Sequence, residues 1–260
     1  MEDAARIHPT AHIEPGARLG PGTEVGPFAY IGPRVSIGAG CRIHHHATVE
    51  GNTTLGDNCE VFPYAFIGGR TQDKKWTGDE APVLIGNRNI FREFCTVHPS
   101  TFADSATRIG DDNLFCSYAH IGHESTVGSH CVFSNNATLG GHVAVGDYAV
   151  IGGLTAVHQF CRVGESAMLA GCAKVVQDVL PFMTADGHPA VHRTINKVGM
   201  QRRGFPPERV QLAARVFKHL FRSGRNHGQA LKDLKSGALG QDPLIDTVVA
   251  AIEASTRGFS

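Results

Sequence analysis

The sequence of 260 residues has no excess of either charge, because 24 Lys and Arg residues balance 24 Asp and Glu residues. This balance gives no sign of a chain that binds nucleic acid or a membrane surface as a whole. Apolar runs long enough to span a bilayer are absent, and the polar start MEDAARIHPT lacks the features of a secretory signal. We therefore expect a cytoplasmic protein with no stable membrane insertion and no nucleic-acid partner.

Cysteine pairs and aromatic residues are also scarce. The seven cysteines form no Cys-x-x-Cys pair, so neither a zinc ribbon nor a redox motif is indicated. Aromatic residues make up only 7% of the chain, whereas glycine occurs 31 times. This composition favours a repeat architecture with tight turns over an ordinary mixed core.

The dominant pattern is an apolar residue at every sixth position from Ile7 to Val175, interrupted only at Asp73, Asp79 and Ala103. One large and one small inward residue per hexad predict short parallel strands joined by sharp turns, a β-solenoid of hexapeptide repeats. Five cysteines occupy the small inward position, where we interpret them as apolar fillers: Cys41, Cys59, Cys95, Cys131 and Cys161. If three hexads form one triangular coil, residues 18 apart stack; the period itself establishes neither three sides nor a handedness.

Departures from the repeat divide the chain. We predict a solenoid over 1–189 with projecting loops at 68–84 and 98–108, and an α-helical domain over 190–260. Residues 181–192 are predicted to be a connector.

The predicted helical domain is basic, with twelve Lys and Arg residues against five Asp and Glu residues. This charge favours an acidic partner, with a solvated helix surface as the alternative.

Stacking of residues 18 apart predicts a polar cluster at one corner of the solenoid. Its members are His123, Glu124, Gly141, His142, His158 and Gln159. A histidine can remove a proton from a substrate hydroxyl, a carboxylate can fix its tautomer, and an unshielded glycine N–H can stabilise an oxyanion. Because no serine nucleophile is apparent, the cluster predicts acyl transfer by direct attack of an alcohol.

Six motifs carry a resemblance that covers almost the whole chain: AHIGHESTVG, NNATLGGHV, IGGLTAVHQFC, QDKK, RRGF and STRG. With them the sequence resembles the UDP-N-acetylglucosamine O-acyltransferases that begin lipid A biosynthesis in Gram-negative bacteria. The resemblance implies a left-handed parallel β-helix and a homotrimer with active sites between subunits. It also implies transfer of an (R)-3-hydroxyacyl group from the phosphopantetheine of acyl carrier protein to the 3-hydroxyl of UDP-N-acetylglucosamine, without another cofactor or a metal.

The same resemblance implies roles for individual residues. His123 matches the general base, Gly141 the oxyanion donor, and Glu124 the position of a supporting aspartate. Gly171 lies near an acyl-chain ruler, so we expect a relatively long acyl chain. The resemblance implies twelve substrate-binding residues: Gln72, Asp73, Lys75, His98, His120, His142, His158, Gln159, Gly171, Asn196, Arg202 and Arg203. Val198 departs from the family pattern, which often has glutamate near the nucleotide.

Other functions remain open at this point. The same cluster could acylate a 3-amino UDP-sugar and form an amide. The sister N-acyltransferase normally carries a separate N-terminal uridine-binding domain, for which hexads that begin at Ile7 leave no room. A γ-type carbonic anhydrase would bind zinc through three histidines, for which His98, His120 and His123 are candidates. A non-catalytic scaffold is the remaining class, and the His-His-His run at 44–46 is interpreted as a turn.

Overall fold

The computed structural model describes residues 4–78 and 80–260, so Asp79 of the first predicted loop lies outside the described residues. Short parallel strands form a three-sided solenoid. In chain order they are β1 (Arg6–Ile7), β2 (His12–Ile13), β3 (Arg18–Leu19), β4 (Glu24–Val25), β5 (Tyr30–Ile31), β6 (Ser36–Ile37), β7 (Arg42–Ile43), β8 (Thr48–Val49), β9 (Asn52–Leu55), β10 (Glu60–Val61), β11 (Phe66–Ile67), β12 (Pro82–Ile85), β13 (Ile90–Phe91), β14 (Thr96–Val97), β15 (Thr107–Ile109), β16 (Leu114–Phe115), β17 (His120–Ile121), β18 (Thr126–Val127), β19 (Val132–Phe133), β20 (Thr138–Leu139), β21 (Ala144–Val145), β22 (Val150–Ile151), β23 (Ala156–Val157), β24 (Arg162–Val163), β25 (Met168–Leu169) and β26 (Lys174–Val175).

Each strand from β1 to β23 pairs with the strand three places later in the chain. As a result β1, β4 and their successors form the first face, β2 and β5 begin the second, and β3 and β6 begin the third. We call the turns from first to second face corner 1, from second to third corner 2, and from third to first corner 3. Partners such as Ile7 and Val25 are 18 residues apart, which confirms three hexads per coil. From Val25 onward the second residue of each two-residue strand is apolar and buried, and the core includes a stack of rings from Phe91, Phe115 and Phe133.

Both loops leave the solenoid at corner 2. They span 68–81 and 98–106, because the last residues of each predicted loop belong to the longer strands β12 and β15. Val61 pairs with Phe91, and Phe91 with Phe115, so the loops insert two hexads and one hexad. Insertion of whole hexads explains why the sixfold phase continues across both interruptions.

The corners use left-handed backbone at residues other than glycine. Glu124, His142 and Phe160 have φ values of 55°, 59° and 67°. Gly122 follows an inward apolar residue, and a Cβ there would lie 2.7 Å from the carbonyl carbon of Gly140 in the next coil. The recurrent glycine after the apolar position is therefore required by close approach of coils, not by positive φ.

The C-terminal part closes the solenoid. Strands β27 (Met183–Gly187) and β28 (Ala190–Ile195) form an antiparallel hairpin, and β27 extends the first face beside β25. The predicted connector at 181–192 is therefore wrong: its alternate residues Met183, Ala185, Ala190 and His192 are buried. The turn of this hairpin coincides with the predicted domain boundary at 189–190.

Four helices follow the hairpin: α1 (Lys197–Arg202), α2 (Pro207–Phe221), α3 (His227–Lys235) and α4 (Pro243–Glu253). The helical C-terminal part that the sequence predicts is therefore present. A separate apolar core joins α2, α3 and α4 to the end of the solenoid, with Val216, Leu234 and Val248 buried in it. Among the described residues, none of the helices has the length and apolar character needed to cross a membrane.

Candidate active site

Corner 2 brings the predicted polar cluster together over three consecutive coils. The His142 N–H donates to the His123 carbonyl at 2.8 Å, and the Phe160 N–H donates to the Gly141 carbonyl at 3.1 Å. These bonds lock the coils in the register that residues 18 apart predict. Residues distant along the chain therefore share one surface beneath the two loops.

A histidine–carboxylate pair lies at the centre of this surface. Glu124 Oε2 forms a short hydrogen bond with His123 Nδ1, and the Glu124 side chain is only 5% exposed. The other carboxylate oxygen, Oε1, accepts the Thr101 backbone N–H at 2.6 Å. Because a carboxylate only accepts, Nδ1 carries the proton and Nε2 keeps its lone pair. This is the tautomer required for Nε2 to act as a general base.

Gly141 faces the imidazole of His123. A Cβ at position 141 would lie well within 3.0 Å of His123 Nε2 and Cε1. Within the described chain, the Gly141 N–H has no hydrogen-bond acceptor, although the residue is buried. An amide N–H beside a basic nitrogen can stabilise negative charge that develops on a reacting carbonyl oxygen.

The first loop reaches the pair through Asp73. Its Oδ2 accepts the Thr101 hydroxyl at 3.1 Å, and its Oδ1 accepts the Lys75 backbone N–H at 3.0 Å. The Lys75 N–H, the Thr101 hydroxyl and the nearby His123 charge lower the pKa of Asp73. Asp73 is therefore an ionised acceptor beside the base, whereas Gln72 and Lys75 are exposed on the same loop.

Two further histidines form the floor beside the base. The rings of His98 and His120 lie 5.0 Å apart, and His120 Nδ1 is 2.7 Å from Thr96 Oγ1. Burial, together with the charges of His120 and His123, lowers the pKa of His98 to about 4. Burial also lowers the pKa of His120. At neutral pH His98 is uncharged, so it offers hydrogen bonds without repelling a protonated base.

The C-terminal side of the cluster is more open. His142 stacks on the exposed ring of Phe160, with centroids 4.6 Å apart, and Gln159 is exposed beside it. His158 Nδ1 lies 3.3 Å from an Arg257 nitrogen, so the STRG segment reaches this corner. The sequence predicts neither Arg257 nor Thr101 as a site residue, although STRG was among the motifs that carried the resemblance.

Other predicted site residues lie elsewhere on the subunit. Gly171 is at corner 1, stacked on Gly153. Asn196 caps α1 and donates to the Ser166 carbonyl at corner 3. Arg203 also bonds Ser166 and lies over the ring of Tyr148 at 3.8 Å.

Arg202 is the last residue of α1 and is exposed. The predicted site residues are thus spread over all three corners of one subunit.

Donor atoms of His123, Glu124 and His142 all lie within 4.8 Å of one another, which is a possible metal-ligand grouping among the described residues. The His123–Glu124 contact is a direct hydrogen bond, however. Two ligands of one tetrahedral zinc ion lie about 3.3 Å apart, given bonds of about 2.0 Å. The spacing is that of a base and its carboxylate, and His98 and His120 do not join the grouping.

Comparison with known proteins places the chain among sugar-nucleotide acyltransferases. Residues 178–260 match the family model "Udp N-acetylglucosamine O-acyltransferase; Domain 2", and residues 106–141 match the bacterial transferase hexapeptide model of six repeats. An acyl-(acyl-carrier-protein)–UDP-N-acetylglucosamine O-acyltransferase of Burkholderia lata is 43% identical over 194 residues, covering 73% of this chain and 74% of that protein. One of Akkermansia muciniphila is 47% identical over 191 residues, with the same coverage.

Solved structures agree with the sequence relatives. The UDP-N-acetylglucosamine acyltransferase of Francisella novicida superposes with a TM-score of 0.94 at 35% identity, covering 97% of this chain and 93% of that one. The Acinetobacter baumannii structure has a TM-score of 0.93 at 38% identity, covering 97% and 98% of the two chains. The solenoid is the left-handed parallel β-helix that the resemblance implied.

Proposed function

This chain belongs to the UDP-N-acetylglucosamine O-acyltransferase family, and we propose that His123 is the general base with which it acylates the sugar 3-hydroxyl. The acyl donor is an (R)-3-hydroxyacyl group on acyl carrier protein, and the reaction begins lipid A biosynthesis. The observation that carries the proposal is the His123–Glu124 pair facing the Gly141 N–H. An acid–base pair and an oxyanion donor are together what acyl transfer to an alcohol needs.

The reaction then follows from the positions of these groups. His123 Nε2 takes the proton of the 3-hydroxyl while the oxygen attacks the thioester carbonyl, and the Gly141 N–H stabilises the oxyanion. The carbon–sulfur bond breaks, and the departing thiolate takes the proton from the imidazolium. The products are the 3-O-acylated sugar nucleotide and the carrier with a free thiol. The nearly buried carboxylate of Glu124 stabilises the transient imidazolium.

Two features support a trimer in which neighbouring subunits complete the site. Predicted acyl-chain and nucleotide residues, including Gly171 and Arg203, lie at corners other than that of His123. Corner 1 also carries an exposed ladder of rings with successive centroids 5.1, 5.2, 5.2 and 4.8 Å apart: Phe28, His46, Tyr64, Phe94 and Tyr118. A continuous apolar edge of this kind favours burial against another subunit.

Charges on the ring ladder are expected to dissociate the assembly. The double variant Tyr64→Glu, Phe94→Glu would place two carboxylates in an apolar contact, and like charges there would repel. Sedimentation should give three times the 27.7 kDa chain mass for the natural protein and less for the variant. Ile7→Glu, exposed but outside the ladder, is the control and should remain trimeric. A natural protein that sediments as a monomer would contradict the trimer.

The function itself is tested by an acyl-transfer assay with UDP-N-acetylglucosamine and hydroxyacyl carrier proteins of several lengths. Gly171 leaves space at corner 1, where an added Cβ would meet only the Gly153 carbonyl oxygen at 3.3 Å. We therefore expect faster turnover with a fourteen-carbon donor than with a ten-carbon donor. An apolar pocket discriminates between substrates that differ by one methylene group by about 1–3 kcal/mol. Equal or faster turnover of the shorter donor would count against the ruler.

The same assay distinguishes the acceptor. A preference for the 3-amino sugar nucleotide over UDP-N-acetylglucosamine would show that the enzyme forms an amide and not an ester.

A further inference from the structure

Thr101 contacts three groups of the candidate site, although it belongs to the irregular loop at 98–106. The residue is fully buried, and it touches Glu124, Asp73 and His123. We propose that Thr101 is a positioning residue that fixes the orientation and tautomer of the His123 base. This inference rests on the proposed acyl transfer and assigns Thr101 no direct contact with substrate.

The first contribution is the backbone N–H of Thr101. It donates to Glu124 Oε1 at 2.6 Å, while Oε2 bonds His123 Nδ1. Each carboxylate oxygen therefore has its own partner, and the glutamate side chain is held at both oxygens. Glutamate has one more rotatable bond than aspartate, so a fixed second partner offsets the additional freedom of the longer side chain.

The second contribution is the hydroxyl group. It donates its single proton to Asp73 Oδ2 at 3.1 Å, since an ionised carboxylate can only accept. Its lone pairs then face His123 Nδ1 at 3.4 Å. Both groups near Nδ1 are thus acceptors, which favours a proton on Nδ1 and an unprotonated Nε2.

The third contribution is coupling of the two loops. Asp73 lies on the loop at 68–81, where the Lys75 N–H holds its other oxygen. Thr101 lies on the loop at 98–106, and its hydroxyl donates a hydrogen bond to Asp73 that joins this loop directly to the first one. A change in either loop is therefore transmitted to the imidazole through Thr101.

Thr101→Val tests the hydroxyl, because valine has nearly the same shape and retains the backbone N–H. We expect kcat for acyl transfer to fall about tenfold, a part of the ~10²–10⁴ that a general base supplies. Thr101→Ser should restore most of the activity. Thr23→Val is the matched control: Thr23 is also buried, and its hydroxyl also makes two hydrogen bonds, but it lies in an early coil.

Two readouts separate positioning from a loss of stability. In a double-mutant cycle, Thr101→Val and Glu124→Gln should be clearly non-additive in kcat, because both act through His123. Nitrogen-15 NMR of histidine-labelled protein should show a smaller fraction of the Nδ1-protonated tautomer of His123 in Thr101→Val than in Thr23→Val.

The proposal is overturned if Thr101→Val matches Thr23→Val in kcat, if the two substitutions are additive, or if the His123 tautomer is unchanged. The NMR measurement needs no substrate. If the natural protein fails to transfer an acyl group, the proposed function fails, and the tautomer still decides whether Thr101 orients the imidazole.

Discussion

His123→Ala is expected to lower kcat for acyl transfer by ~10²–10⁴, the usual contribution of a positioned general base. Alanine removes the nitrogen that accepts the hydroxyl proton and leaves Glu124 without its imidazole partner. His142 does not take its place, since its Nε2 approaches the carboxylate only to 3.9 Å from the next coil. Affinity for UDP-N-acetylglucosamine should change much less than kcat, because the lost interaction belongs to the transition state.

The matched control is His130→Ala, which removes an imidazole from corner 3, where it stacks on Tyr148. Thermal unfolding of both variants would show whether the solenoid is intact. A loss of only about twofold in His123→Ala, far below the range for a general base, would remove His123 from the mechanism. It would then favour a different base.

Gly141→Ala is expected to lower kcat by about 10², because misplacement of a catalytic group by about 1 Å costs this much. The added Cβ would lie well within 3.0 Å of His123 Nε2 and Cε1, so the ring must rotate away from its productive position. The substitution keeps the backbone N–H at 141. It therefore measures the space that the base requires, separately from the oxyanion donor.

Gly153→Ala is the control at the same position of another hexad. Its Cβ would meet the Asn135 carbonyl oxygen at 3.3 Å and the Ser134 Cβ at 3.9 Å, at corner 1. We expect a far smaller decrease in kcat than for Gly141→Ala. Similar kcat values for the two variants would show that displacement of the imidazole does not slow acyl transfer, or that the imidazole is not the base.

Sequence periodicity predicted the main geometry because each coil repeats the same backbone path. Once three hexads form a coil of 18 residues, His142 follows the stacking partner of His123 by one residue, and its N–H bonds the His123 carbonyl. The phase could be followed through both loops because they insert whole hexads. The hairpin at 183–195 was missed because its two strands pair antiparallel and end the repeat.

The site was predictable only where it is built on strands and corners. Thr101 was missed because no period connects an irregular loop to the coil above it, so its contact with Glu124 could not be deduced from spacing. Arg257 was missed for the same reason, since a chain terminus returns to His158 from 99 residues away.

The order of residues alone was sufficient for the solenoid, the inward and outward positions, the helical C-terminal part and the column of His123 above Gly141. These properties depend on local periods and on stacking at a constant interval, which the chain itself encodes. The proton on Nδ1, the two partners of the Glu124 carboxylate and the placement of Asn196 and Arg203 at corner 3 depended on folded contacts between segments without a common period. Hydrogen bonds of this kind depend on distances of tenths of an ångström and on the depth of burial, and neither is encoded in spacing along the chain.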